Sequence, residues 1–170
     1  MTPPLALIDV CKQVGPQLDG IVMHHEKPVH GATLLYAITG NESSFGTRAE
    51  FVRAEPAYMR GGMYFERAAH LRQQWFRWGV LAASSFGAFQ LLYITAYELG
   101  FRGHPIDLQQ HDISARWVNT LITERFVRTR GVQTLRDLLD AYNSGRHTDA
   151  HVPERYIAEG IKHYETGGLV

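Results

Sequence analysis

Leu34-Leu35-Tyr36-Ala37-Ile38-Thr39-Gly40-Asn41-Glu42-Ser43-Ser44-Phe45-Gly46 is the stretch whose reading decides most about this chain. Leu34, Leu35 and Ile38 recur at helical spacing and predict a helix with a buried face. Gly40-Asn41 marks its end, which leaves Glu42 at or just past the last turn. A carboxyl in that position tends to be partly shielded from water. Desolvation disfavours its charged form and raises its pKa, as a general acid working near neutrality requires. A solvated or capping glutamate would show the same local pattern, so Glu42 alone does not separate the two.

Further helices are predicted on both sides of this stretch. Leu5, Ile8, Cys11 and Val14 are spaced by three and suggest a short helix stopped at Gly15-Pro16. Ala68, Leu71, Trp75 and Trp78 form a stripe within a helix over 65–79, and Gln90 to Leu99 reads as another, closed by Gly100. Asp107 with Gln110 suggests a capping box for a helix running through Ile113, Trp117, Leu121 and Ile122 to about Arg130, where Gly131 stops it. Thr134 with Asp137 opens one that carries Leu135, Leu138, Leu139 and Tyr142 and ends before Gly145. Pro153 suits the first turn of a last helix with Tyr156, Ile157, Ile161 and Tyr164 facing inward. Residues 46–64 hold no helical period and read as a loop or short hairpin laid over the domain. The expectation is a mainly α fold in one domain spanning 1–170.

The 170 residues suit a single core, and 17 basic against 17 acidic side chains leave no electrostatic footprint for nucleic acid or an anionic membrane. Cys11 is the only cysteine, which excludes an internal disulfide and a thiolate-rich zinc site. His24, His25 and His30 invite a metal reading. Adjacent histidines are not at the i,i+4 spacing of a helical site, so no metal and no other cofactor is expected. His104, His111, His147 and His151 read as exposed loop or helix-end residues. Met1-Thr2-Pro3-Pro4 lacks the basic segment of a signal peptide, and no run approaches the roughly 20 apolar residues of a membrane span. Synthesis in the cytoplasm and no membrane insertion are the corresponding expectations.

Two later segments join Glu42. Ser84-Ser85-Phe86-Gly87-Ala88-Phe89-Gln90 combines small residues with a glycine that lets backbone approach a ligand, and offers the Gln90 amide to a sugar hydroxyl or N-acetyl group. Ala141-Tyr142-Asn143-Ser144-Gly145 reads by itself as a helix C-terminus. In this order, however, Glu42-Ser43, Gly87-Ala88-Phe89-Gln90 after Ser85, and Ala141-Tyr142-Asn143 resemble the soluble lytic transglycosylases and the related goose-type lysozymes. That family shows Glu-Ser after an apolar helix, Gly-Leu-Met-Gln preceded by serine, then Ala-Tyr-Asn-Ala-Gly. Val152-Pro153-Glu154-Arg155-Tyr156 resembles its closing Pro-x-x-Tyr segment, so the likeness spans about 34–164. Ala88 and Phe89 depart from the leucine and methionine of the second motif. The gap from Glu42 to Gly87 is also longer, and its Glu55-Pro56 resembles a stretch in some phage-type muramidases.

The resemblance implies a compact lysozyme-like domain of the α+β type that cleaves peptidoglycan at the β-1,4 bond between N-acetylmuramic acid and N-acetylglucosamine. Glu42 would be the proton donor, and Tyr142 would bring its hydroxyl near Glu42 and the reacting sugar. Ser43, Ser85, Gly87, Gln90 and Asn143 would be groove or supporting groups, and Phe89 an apolar wall for a pyranose face. Two chemistries stay open. A lytic transglycosylase closes a 1,6-anhydro ring with one glutamate, whereas an inverting muramidase activates water with a second carboxylate about 6.5–9.5 Å away. Glu55 is the nearest second carboxylate, with Glu50 and Glu66 as rivals. A chitin-type hydrolase and a non-catalytic wall-binding module are the alternatives. Without a leader, such an enzyme would reach the wall by holin-dependent release, by carriage on a phage tail, or within a larger exported protein, which favours a phage endolysin.

Overall fold

A computed structural model describes residues 6–48, 52–144 and 153–169 of the protein. Met1-Thr2-Pro3-Pro4, Leu5, Glu50, Gly145, His147, His151 and Val152, named above, lie outside the described residues. Within them the chain is mainly helical with a small sheet. The helices are α1 (Leu7–Val14), α2 (Gly31–Ser43), α3 (Ala69–Trp78), α4 (Tyr93–Glu98), α5 (His111–Thr120), α6 (Leu135–Ser144) and α7 (Glu154–Thr166). The strands are β1 (Met23–His24), β2 (Lys27–Pro28), β3 (Val52–Ala54), β4 (Ser84–Phe86) and β5 (Leu91–Leu92).

α2 is the axis of the molecule. Leu34, Leu35, Ala37 and Ile38 are fully buried, and most of the helix is buried on every side rather than along one stripe. A helix apolar all round belongs in the middle of a core. Small residues let its neighbours come close. A Cβ on Gly31 would lie 1.9 Å from the Gly15 carbonyl oxygen, and one on Gly15 would lie 2.3 Å from the Ala32 Cα, so backbone meets backbone there. On the other side α7 docks through Gly160, which abuts the Asn41 amide and Leu139. The Asn41 side chain in turn donates to the Tyr156 carbonyl at 2.9 Å. Cys11, on α1, is buried, and desolvation pushes its thiol up to about 12.

The end of α2 departs from the expected geometry. The helix runs beyond the expected stop at Gly40-Asn41 to Ser43, and Glu42 stands in its last turn, one of the two positions expected for it. Ser44, Phe45 and Gly46 then adopt φ of +50°, +57° and +74° in succession. Left-handed backbone at two residues with side chains is held by its hydrogen bonds: Ser44 N–H to Gly40, Phe45 N–H to Thr39 at 3.0 Å, and Gly46 N–H to the Ser43 hydroxyl at 2.9 Å. Phe45 is then fixed against Tyr36 at 4.7 Å and His163 at 4.9 Å between ring centres.

β3, β4 and β5 form one antiparallel sheet in the order β3-β4-β5, pairing Arg53 with Ser85 and Phe86 with Leu91. The segment after Glu42 therefore does contain a strand, but its partner is the second motif some thirty residues on, not a local hairpin. Gly87 to Gln90 is the tight turn of the β4–β5 hairpin, closed by Gln90 N–H to Gly87 carbonyl at 3.1 Å. This replaces the helix expected from Gln90; α4 begins only at Tyr93. Two smaller readings are also corrected. α3 begins at Ala69 rather than Phe65, and Asp107 belongs to a capping box whose N-cap is His104, opening a short 3₁₀ turn over Pro105–Gln109. Ile8 is exposed, and Val10 takes its place in the α1 core stripe.

The long helix predicted to run to about Arg130 is continuous, but it changes pitch. From Leu121 to Thr129 it widens into a π-helix, ending at Gly131 with Gly131 N–H on the Val127 carbonyl. Hydrogen bonds that close at i+5 bring residues four and five apart onto one face. Leu121, Arg125, Phe126 and Arg130 share that relationship, and all four border the cleft described next.

Candidate active site

Glu42, β3 with the residue after it, β4, the β4–β5 turn, the π-helix and the end of α6 enclose a cleft of roughly 300 Å³. Its lining includes Glu42, Glu55, Ser85, Gln90, Tyr142 and Asn143. The three segments singled out in the sequence, 41–46, 84–90 and 141–144, thus meet at one depression although about a hundred residues separate the first from the last.

Glu42 is half-buried and lines the cleft. Burial raises its pKa, and the nearby Glu55 charge adds to the rise. A hydrogen bond from the Tyr156 hydroxyl to Oε1 at 2.5 Å works against this, as do the guanidinium groups of Arg53 and Arg48. The balance still lies above the usual carboxylate range. Tyr156 is itself driven up by burial and by the Glu42 charge, so it stays a neutral donor. Sequence reasoning gave Tyr156 a place in the core and missed its contact with Glu42. The signal available was the Pro-x-x-Tyr segment that contains it.

Tyr142 borders the cleft and feels the Glu42 charge, which together with burial raises its pKa. Its hydroxyl does not donate to Glu42, however; it donates to the Phe89 carbonyl at 2.8 Å. Two expectations are corrected. Phe89 is fully buried and gives the cleft no apolar wall. Gly87 has φ +70°, and a Cβ there would lie 2.6 Å from the Leu108 carbonyl oxygen, so the close approach it permits is to its own chain rather than to a ligand. Ser43 is buried behind Glu42, where its hydroxyl donates to the Ala88 carbonyl at 2.7 Å and accepts from Gly46. It ties the end of α2 to the β4–β5 turn.

Glu55 is held at Oε1 by Arg53 Nε at 2.8 Å and by the Ser85 hydroxyl at 2.8 Å. Gln90 has φ +46°, and its side-chain nitrogen donates to the Gly87 carbonyl at 2.9 Å, which orients the amide oxygen end. Asn143 is exposed at the rim. Glu66 does not border the cleft; its carbonyl oxygen accepts from Arg72. Tyr58 and Tyr64, with ring centres 4.8 Å apart, line one side, and Arg53, Arg125 and Arg130 supply positive charge. Trp75 packs edge-on against Phe65 in the core, whereas Phe76 faces solvent.

Because the Tyr156 hydroxyl favours the ionised form of Glu42, Tyr156→Phe is expected to move the Glu42 titration to higher pH. Carboxyl NMR titration checks the direction. A midpoint unchanged or lowered would mean the hydroxyl does not support the carboxylate.

No family model matches the chain, and neither a curated protein nor a solved structure matches it. What the site can do is therefore decided by its own geometry.

Proposed function

We propose that the protein cleaves peptidoglycan glycan strands at the bond between N-acetylmuramic acid and N-acetylglucosamine, with Glu42 as general acid and then base. The observation that carries this is a single carboxyl with a raised pKa, set in a cleft that gathers all three motifs. Such a group is protonated often enough to hand its proton to the leaving glycosidic oxygen. In the transglycosylase route the substrate's own N-acetyl group stabilises the cationic centre. The ionised Glu42 then takes the proton of the 6-hydroxyl as the 1,6-anhydro ring closes. The Tyr156 hydrogen bond supports that ionised intermediate state. Tyr58 and Tyr64 are suited to sugar faces, and the arginines to acidic peptide stems.

A specific observation favours a second reading: Glu55 shares the cleft and is held in place by Arg53 and Ser85. It could activate water as the base of an inverting muramidase. Mass spectrometry of muropeptides released from purified sacculi separates the two. Anhydro ends that persist in Glu55→Gln mean the transglycosylase. Reducing ends that fall on the order of 10²–10⁴-fold in Glu55→Gln mean the hydrolase. No release of either by the wild type would leave a wall-binding module, and cleavage confined to chitin oligomers a chitinase. Among the described residues no helix is long and apolar enough to cross a membrane. Release through a holin lesion or carriage on a phage tail remains part of this proposal.

A further inference from the structure

A second constellation lies at the β1–β2 hairpin, whose residues do not border the cleft. The turn between these two-residue strands is made by His25 and Glu26, with φ of +47° and +64°. Two left-handed residues in succession suit a tight hairpin, but asparagine and glycine are its usual occupants. The conformation has a consequence for the rings. Adjacent residues on an extended strand point to opposite faces. Here, with His25 in the turn, the His24 and His25 rings lie 4.1 Å apart centre to centre. Both Nε2 atoms face one oxygen of Glu165 on α7, at 3.1 Å from His24 and 3.7 Å from His25.

We propose that His24, His25 and Glu165 form a surface site for a borderline divalent cation of the zinc type. An ion with nitrogen and oxygen ligands near 2.0–2.1 Å in tetrahedral geometry needs those ligand atoms about 3.3 Å apart. The two nitrogen-to-oxygen separations bracket that value, and all three ligand atoms lie within 4.8 Å of one another. The His24 nitrogen lies within hydrogen-bonding distance of this oxygen, and the His25 nitrogen, at ion-pair distance, converges on the same atom. The frame is built without Glu165. Met23 N–H bonds the Gln133 carbonyl at 2.8 Å, and Val29 N–H bonds Val22 at 3.0 Å. Tyr164 packs edge-on to His24 and accepts the His30 N–H at 2.8 Å. Two imidazoles and one carboxylate leave the remaining position to water, and they favour zinc, nickel or copper over calcium or magnesium. The helical-spacing criterion fails to find the site because a hairpin, not a helix, brings the histidines together.

Zinc bound here ties the end of α7 to the hairpin independently of any chemistry at Glu42. Titration calorimetry of the whole protein with Zn²⁺ at pH 7.5 is expected to give one saturable site. Zinc at a hundredfold excess over Kd should raise Tm by about 5–10 °C, and Ca²⁺ should not. Co²⁺ should give visible d–d bands. All three effects should be lost in His25→Asn, which suits the left-handed turn, and in Glu165→Gln. Absence of saturable zinc binding, or binding unchanged in both variants, overturns the proposal.

Discussion

Glu42→Gln is expected to lower glycan-strand cleavage on the order of 10²–10⁴-fold while making the folded protein more stable at neutral pH. Glutamine keeps the shape and an oxygen that can accept the Tyr156 hydroxyl, but it can neither give nor take the proton. The stability change follows from the direction of the pKa shift. Burial raises the folded-state pKa of Glu42 above its unfolded value, so the folded form binds the proton more tightly. Below the unfolded value both forms are protonated, and no penalty exists. As pH rises through the folded value, the native state must carry a shielded negative charge, and stability is lost. Glutamine avoids this, so the Tm difference should open above the ordinary carboxylate range and close in acid. Thermal unfolding from pH 3 to 8, beside a muropeptide assay, tests both halves. Retained turnover would remove Glu42 from the chemistry, and a lower Tm at pH 7 would contradict the electrostatic account.

Gly31→Ala should do the opposite: damage the fold and spare the chemistry. A methyl group there meets the Gly15 carbonyl oxygen at 1.9 Å and the Leu18 Cβ at 2.8 Å. The first obstacle is backbone, which cannot rotate aside. The start of α2 and the turn after α1 must therefore separate. Overpacking of this kind costs about 1–3 kcal/mol or more, which for a chain of this size means a Tm loss on the order of 5–10 °C. Gly31 stands eleven residues before Glu42, roughly 17 Å along the helix. The folded fraction should therefore keep the wild-type dependence of rate on pH. A Tm within a degree of wild type would show that the two segments are not in backbone contact.

Sequence patterns carried the helices best where the apolar spacing was regular. Leu34, Leu35 and Ile38 place α2, Leu135, Leu138 and Leu139 place α6, and Thr134 caps α6 with its hydroxyl on the Asp137 N–H. The sheet was not legible, because strands of two or three residues are too short to show alternation. Ser44, Phe45 and Gln90 adopt left-handed backbone that no glycine announces, so the end of α2 and the turn before β5 were misjudged. The segments containing Glu42, Ser85, Gln90, Tyr142 and Asn143 were visible as motifs, but the partner of each side chain was not, and the tyrosines and arginines that complete the lining lay outside them. The Glu42–Tyr156 bond joins residues 114 apart, and only the fold decides that Tyr156 rather than Tyr142 makes it. Phe89 illustrates the same limit: its position in a motif was readable, its direction was not.

The π-wound stretch gives the trench an unusual means of variation. Leu121, Arg125, Phe126 and Arg130 face one way because the coil is wider there. At ordinary α pitch, Leu121 and Arg130 would point in nearly opposite directions. One wall is therefore encoded by winding as well as by composition. Losing a single amino acid inside the stretch would exchange several wall groups together, whereas a point substitution alters one.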